Sequence, residues 1–198
     1  AFDPKQTVCM DPTPGFNPPA YIAVGREMTR QIHDQGAKIF VQLAAGLAGD
    51  TWPEQSKRCQ MMTIAEIRQL VAAFAEAAKI VKAAGFDGIE IETGSLLDGF
   101  TLALDNQSRD DYGGELQNRF RIVTEIIAAI KTTCGRDFPV IVRLAIKSYL
   151  KAGGQQALPQ EEFAEEGRDV DEALAAAVLL VAAGCDGFDV TAGIDGPE

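Results

Sequence analysis

The residues with the types and spacing to do chemistry are an arginine closing an apolar run, Val140-Ile141-Val142-Arg143-Leu144, and the two acids of the alternating run Gly88-Ile89-Glu90-Ile91-Glu92. A guanidinium beside a buried strand costs several kcal/mol unless an anion pairs with it, so Arg143 demands a partner. Two arrangements satisfy it: a structural ion pair with Glu90, Glu92 or Asp189, or a binding site in which Arg143 is the fixed cation. Gln42, in Val41-Gln42-Leu43, stands at the end of another short strand, where its amide either satisfies loop backbone or meets a ligand. Lys147, just past the end of the Arg143 strand, is a Schiff-base candidate or, more commonly in such places, a solvated loop cation.

Other chemistries are excluded by composition. The single histidine, His33, falls in the last turn of a helix, where an imidazole complements the helix dipole at the rim away from any active site. Cys9, Cys59, Cys134 and Cys185 are scattered with no C-x-x-C pair, which argues against zinc or an iron–sulfur cluster and reads as reduced thiols; no metal is expected. A formal net charge of −11 and a pI near 4.6 repel nucleic acid and anionic membranes, leaving a small molecule or a protein as partner. No apolar run reaches a membrane-spanning length and no leader pattern opens the chain, so the sequence reads as a cytoplasmic protein. With 198 residues, 46% of them hydrophobic, a single domain over residues 1–198 is expected.

The elements that must position these residues alternate. A helix is expected from Pro19 to Gln35, closed by Gly36, then a strand from Ala37 to Leu43. Thr63 and Glu66 form a capping box ahead of the stripe Ile67, Leu70, Val71, Phe74, Ala78 and Val81, which ends at Gly85 before the strand Gly88 to Glu92. A helix from Asn118 to Thr133 and a strand from Phe138 to Leu144 follow, then a helix from Asp169 to Ala183 and a strand from Gly187 to Val190. The order Ala83-Ala84-Gly85-Phe86-Asp87-Gly88 recurs as Ala182-Ala183-Gly184-Cys185-Asp186-Gly187, and strand starts repeat about every 50 residues. Such alternation implies an α/β fold with a parallel sheet and right-handed crossovers. Loops longer after strands than after helices favour a (β/α)8 barrel, of which about four βα units make a partial barrel, its central segment. The outer strands then expose unpaired edges, which calls for the missing barrel half or a homo-oligomer.

The run Ile89 to Phe100, with Asn106, Asp110, Tyr112-Gly113-Gly114, Asn118 and Arg119, resembles the old yellow enzyme family of NADH:flavin oxidoreductases. Phe100-Thr101-Leu102-Ala103-Leu104, Lys147-Ser148-Tyr149 and Gly167-Arg168-Asp169 are most similar to its 2-enoate reductase and bile-acid enoate reductase branch. The resemblance implies a barrel holding FMN at the strand C-terminal rim, with hydride passing from NAD(P)H through the flavin to an activated C=C bond of a small unsaturated substrate. It also implies that Gln42 bonds the flavin pyrimidine edge and that Arg143 lies beside its N1 and O2 atoms. A fixed cation there stabilises negative charge on the reduced ring.

The chain departs from that pattern where the family carries its substrate-binding histidines. Glu92 stands in place of the first, Thr93-Gly94-Ser95-Leu96-Leu97 is about three residues short by the same comparison, and the catalytic residues are therefore unassigned. Ser95 is a poor substitute for a phenolic proton donor. Ala44-Ala45-Gly46-Leu47-Ala48-Gly49 lacks the family's arginine, and the loop before Trp52-Pro53 is short as well. These gaps leave two readings open, an FMN-dependent ene-reductase or a catalytically silent barrel fragment that acts by self-association. Tyr112-Gly113-Gly114 is expected to shape a loop, with no catalytic part.

Overall fold

The computed structural model describes residues 17–45, 52–94, 96–153, 155–158 and 160–193. Cys9, Ser95 and the residues 46–51 on which the missing arginine and the short loop fall lie outside them.

Helix α1 (Pro18–His33) starts with two prolines in its first turn, and Asn17 Oδ1 accepts the Ala20 N–H at 3.3 Å. It ends two residues before Gln35, in a turn that leads to β1 (Phe40–Leu43). β1 begins three residues later than Ala37 because the Ile39 N–H is taken by the Asp87 carboxylate at 2.9 Å rather than by a neighbouring strand. Helix α2 (Trp52–Met61) was not expected, since its sequence is polar and lacks an apolar stripe. Helix α3 (Ile64–Ala83) opens with the capping box: Thr63 Oγ1 accepts the Glu66 N–H at 3.3 Å, and Glu66 Oε2 accepts the Thr63 N–H at 2.7 Å.

After β2 (Gly88–Glu92) come a single turn, α4 (Asp98–Thr101), and then α5 (Leu116–Arg119) and α6 (Arg121–Cys134). The helix expected from Asn118 is thus two helices that meet at Phe120, which is fully buried and ends one as it starts the other. β3 (Val140–Ala145) begins after Pro139, which has no N–H to give a ladder. A small antiparallel pair, β4 (Leu150–Lys151) and β5 (Gln155–Gln156), was too short to read from the sequence. Helix α7 (Val170–Ala183), with the Asp169 side chain accepting the Glu172 N–H at 2.8 Å, leads to β6 (Gly187–Thr191).

The main sheet has the order β1-β2-β3-β6 and every neighbouring pair is parallel. Right-handed crossovers that always step in the same direction put the connecting helices on one face. That face is the core. Ile89, Ile91, Val140 and Val142 are fully buried with Leu70, Phe74, Ile126, Ile130 and Leu180, each large aliphatic or aromatic side chain contributing about 1.5–3 kcal/mol. β3, although almost wholly apolar in sequence, is not buried on both faces: Val140, Val142 and Leu144 are buried while Ile141, Arg143 and Ala145 are half-buried. The second face, the interior side of a barrel, carries Phe40, Gln42, Glu90, Glu92, Arg143 and Asp189. Gly88 is required there, because an added Cβ would lie 2.2 Å from the Phe40 ring laid across it.

The repeated Asp-Gly turns lock the strand entrances. Asp87 N–H donates to Ile39 O at 2.9 Å while its carboxylate accepts from Ile39 N and from Lys38 Nζ, at 2.9 Å each. Asp186 N–H likewise donates to Val140 O at 2.8 Å, and its Oδ2 accepts from Val140 N at 2.7 Å and Lys131 Nζ at 2.6 Å. Each acid ties the start of its own strand to the start of the preceding one. Burial would raise the Asp87 pKa, but Lys38, the Ile39 N–H and His33 outweigh it and hold the acid at about 2.

Candidate functional site

Strand register brings the polar residues of the open face together. Gln42 is paired with Glu90, Glu92 with Arg143, and Arg143 with Asp189. These pairings stand side chains from four strands in a row near the strand C-terminal ends, where a parallel barrel places its chemistry. Gln42 Nε2 donates to Glu90 Oε1 at 2.8 Å and to Glu92 Oε2 at 3.0 Å. Arg143 Nη1 donates to the same Glu92 Oε2 at 2.6 Å, and Arg143 Nε lies 3.6 Å from Asp189 Oδ2. Glu92 Oε1 accepts the Gly94 N–H at 2.8 Å. Arg143 therefore has the ion pair that its position demands, with Glu92 first and Asp189 second. Glu90 is pushed above its usual pKa by burial, and the Asp189 and Glu92 carboxylates add to the shift against the opposing pull of Gln42 and Arg143.

Glu92, Thr93, Gly94, Asp98, Arg143, Ala145, Thr191, Ala192 and Gly193 enclose a cavity of about 50 Å³ beside this corner. Its floor rests on a buried network that the sequence did not announce. Arg119 makes a bidentate pair with Glu172 at 2.7 and 3.2 Å and donates to Thr101 O at 2.6 Å. Arg168, 0% exposed, donates to Thr101 Oγ1 at 2.7 Å and to Ala145 O at 3.2 Å, packs over the Phe120 ring, and lies 3.7 Å from Asp98 and 3.8 Å from Glu172. The i, i+4 spacing of Arg168 and Glu172 was a signal for part of it; the contribution of Arg119, on another helix, was not visible.

The other candidates lie apart from this corner. The Lys147 ammonium sits over the rings of Tyr149 and Phe163, 4.7 and 4.9 Å from their centroids, as a cation–π clamp rather than in the Glu92–Arg143 cluster. His33 Nε2 lies 2.7 Å from Asp87 Oδ2, so it supports a strand entrance as well as a helix end. Tyr112 is buried with its hydroxyl donating to Glu125 at 2.9 Å, and Asn106 Nδ2 donates to the Tyr112 and Phe100 carbonyls at 2.7 and 2.6 Å. Gly113 lets this loop close, because a Cβ there would sit 2.1 Å from Ser108 O. Cys59, Cys134 and Cys185 are buried free thiols, and burial together with Asp105 pushes Cys59 up to about 12. Among the described residues no group of three or more His, Cys, Asp or Glu side chains is arranged to hold a metal ion.

Residues 47–183 match the NADH:flavin oxidoreductase / NADH oxidase family. The chain belongs to this family. A cinnamate reductase of Clostridium sporogenes is 43% identical to it, over 90% of this chain and 30% of that protein. Among solved structures, a 2-naphthoyl-CoA reductase complex is similar with a TM-score of 0.58 and 29% identity, over 68% of this chain and 19% of that one. An Old Yellow Enzyme from a Pichia species is similar with a TM-score of 0.55 and 28% identity, over 65% and 40%. The chain thus spans 30% of the length of the cinnamate reductase, and its parallel sheet is part of a (β/α)8 barrel. The family's chemistry is flavin-dependent oxidoreduction, with FMN and NAD(P)H as its cofactors. No helix among the described residues is long and apolar enough to cross a membrane.

Proposed function

We propose that this chain, residues 1–198, is a single domain, the central segment of the barrel of an FMN-dependent ene-reductase, with Gln42 and Arg143 as the residues that hold the flavin. The observation that carries the reading is their convergence: N–H donors from two separate strands meet on one acceptor oxygen, 3.0 and 2.6 Å away, at the strand C-terminal ends. The donor set fits the group. A flavin's pyrimidine edge offers carbonyl acceptors that become more negative on reduction, which an amide and a guanidinium suit. At present the acceptor oxygen belongs to Glu92, whose carboxylate stands in for that edge. The cavity of about 50 Å³ has room for a water or two, so a ring system would lie across the open sheet face.

FMN held by Gln42 and Arg143 would supply two-electron hydride chemistry between NAD(P)H and an activated C=C bond. Arg143 would supply the fixed positive charge, with Asp189 3.6 Å from its Nε to orient it. The Arg119–Glu172–Arg168 network braces Asp98 and Ala145, two walls of the cavity. The proton does not come from an imidazole of this chain, because His33, the single histidine, sits at the other rim. Cinnamate reductase as a relative favours an aryl-substituted unsaturated acid or its thioester as substrate class. Buried reduced thiols suit a reducing compartment such as the cytoplasm.

FMN titration followed by flavin fluorescence tests this reading. Saturable quenching is expected, weakened at least about tenfold in Arg143→Ala, the loss of one charge-assisted hydrogen bond. Binding that is indifferent to Arg143 would refute it, as would no binding even with the Glu92 carboxylate removed.

A second reading has its own support. Val170, Leu174, Val178 and Val181 form an exposed apolar stripe along α7, next to β6, an outer strand of the sheet. A silent fragment would use that stripe and edge to associate, with another copy or with the rest of a barrel. Light scattering that shows a monomer with bound FMN would rule this reading out.

A further inference from the structure

Glu92 is the one residue of the corner for which a flavin site has no use. It is buried, and both its carboxylate oxygens are engaged: Oε1 by the Gly94 N–H at 2.8 Å, Oε2 by Arg143 Nη1 at 2.6 Å and Gln42 Nε2 at 3.0 Å. Oε2 occupies the point on which the two proposed flavin-binding side chains converge. A flavin carbonyl at that point would need the same two N–H groups, and a carboxylate is the stronger acceptor. Charge bears on the corner independently. Glu90, Glu92 and Asp189 surround one guanidinium, with Glu90 reaching Gln42 at 2.8 Å and Asp189 lying 3.6 Å from Arg143, so the corner is over-supplied with negative charge before a ligand arrives.

We infer that Glu92 is a built-in occupant of the Gln42–Arg143 corner, a specificity-determining carboxylate that must leave those two donors before a flavin edge can take them. The inference rests on the flavin reading above. Glu92 holds the donors in register while the site is empty and weakens every ligand whose edge is a poorer acceptor than a carboxylate. The Gly94 bond sets the pivot: Oε1 can keep its backbone N–H while the other oxygen turns away. Replacing the acid by an amide removes the charge that competes, and leaves a carbonyl to satisfy Gly94.

The test is FMN titration, followed by fluorescence, of the 198-residue chain and of Glu92→Gln, Glu92→Asp and Glu90→Gln. Glu92→Gln should bind FMN at least about tenfold more tightly, the equivalent of one charge-assisted hydrogen bond no longer broken. Glu92→Asp keeps the charge but draws it back by one methylene, and should fall between. Glu90→Gln removes the same formal charge beside Gln42 without freeing the point that Gln42 and Arg143 share, and should tighten FMN binding by clearly less than Glu92→Gln does. Unchanged or weaker binding in Glu92→Gln, or an equal gain in Glu90→Gln, would overturn the inference and leave the flavin reading standing. Saturable quenching in none of the four chains would overturn both. Circular dichroism checks each fold, and if Glu92→Gln does not fold, Glu92→Asp against the parent decides.

Discussion

At the entrances of the four strands, Asp87 and Asp186 each have partners of their own, a lysine and a backbone N–H of the preceding strand. At the exits, Glu92 Oε2 alone receives side chains from two neighbouring strands, and further acids stand alongside. The difference separates positioning from chemistry. Entrance acids answer local needs and are satisfied, with pKa values held low. Exit acids crowd one cation, and Glu90 is shifted the other way. A surface whose charges already balance has little to offer a ligand, whereas a cation contested by several acids can be re-paired.

The largest effect expected of a single change lies under the exits, where the frame has to be rigid for the corner to be loose. Glu172→Ala would leave Arg119 and Arg168 buried with much of their compensating charge gone, and should cost about 3–5 kcal/mol in urea unfolding. A loss below about 1 kcal/mol would show that Asp98 and the carbonyls carry the pair, and would erase the proposed contrast between frame and corner.

That contrast also explains what could be read from the sequence. The capping box at Thr63, the alternation of helix and strand and the Gly-x-Asp-Gly repeat are local, and each appears in the structure close to where it was expected. The repeat was legible as a pattern, but its purpose, an acid reaching back to the preceding strand, needs the parallel pairing. Gln42 and Arg143 stand out in the sequence one at a time, with Glu92 one of three acids that could pair with Arg143. Their meeting on Glu92 depends on a register joining residues about 50 positions apart, which no local periodicity encodes. The break at Phe120 and the polar helix α2 were missed for the opposite reason: an apolar stripe continues through the first and is lacking in the second.

A smaller effect should separate the two ends directly. Asp186→Ala strips the Val140 N–H and Lys131 of a shared acceptor, and should destabilise the chain by about 1–3 kcal/mol. Glu92→Gln should stay within about 1 kcal/mol, since Arg143 is partly open to water and keeps Asp189 nearby. Paired urea titrations of the two variants measure the difference. Equal losses would mean that the exit acid is as structural as the entrance acid, and the comparison would fail.

The smallest effect, and the sharpest, is one of sign. Asp87 is held at about 2 in the folded chain against an ordinary value of 3.8, so its ionised form favours folding. That stability is present above about pH 4 and drains away as pH falls towards about 2. Glu90 is raised above its ordinary 4.5, so its ionised form opposes folding, and stability returns as pH falls through the raised value towards 4.5. Subtracting the stability of Asp87→Asn from that of the parent chain at each pH should give a difference that is flat near neutrality and shrinks below about pH 4. The same subtraction with Glu90→Gln should move the other way, and at higher pH. Protonated Asp87 retains a carbonyl for the Ile39 N–H, so acid removes the charge and not the whole acceptor. Curves of the same sign would mean that burial and the neighbouring carboxylates do not outweigh Gln42 and Arg143 at Glu90, and the contrast between entrance and exit acids would fail.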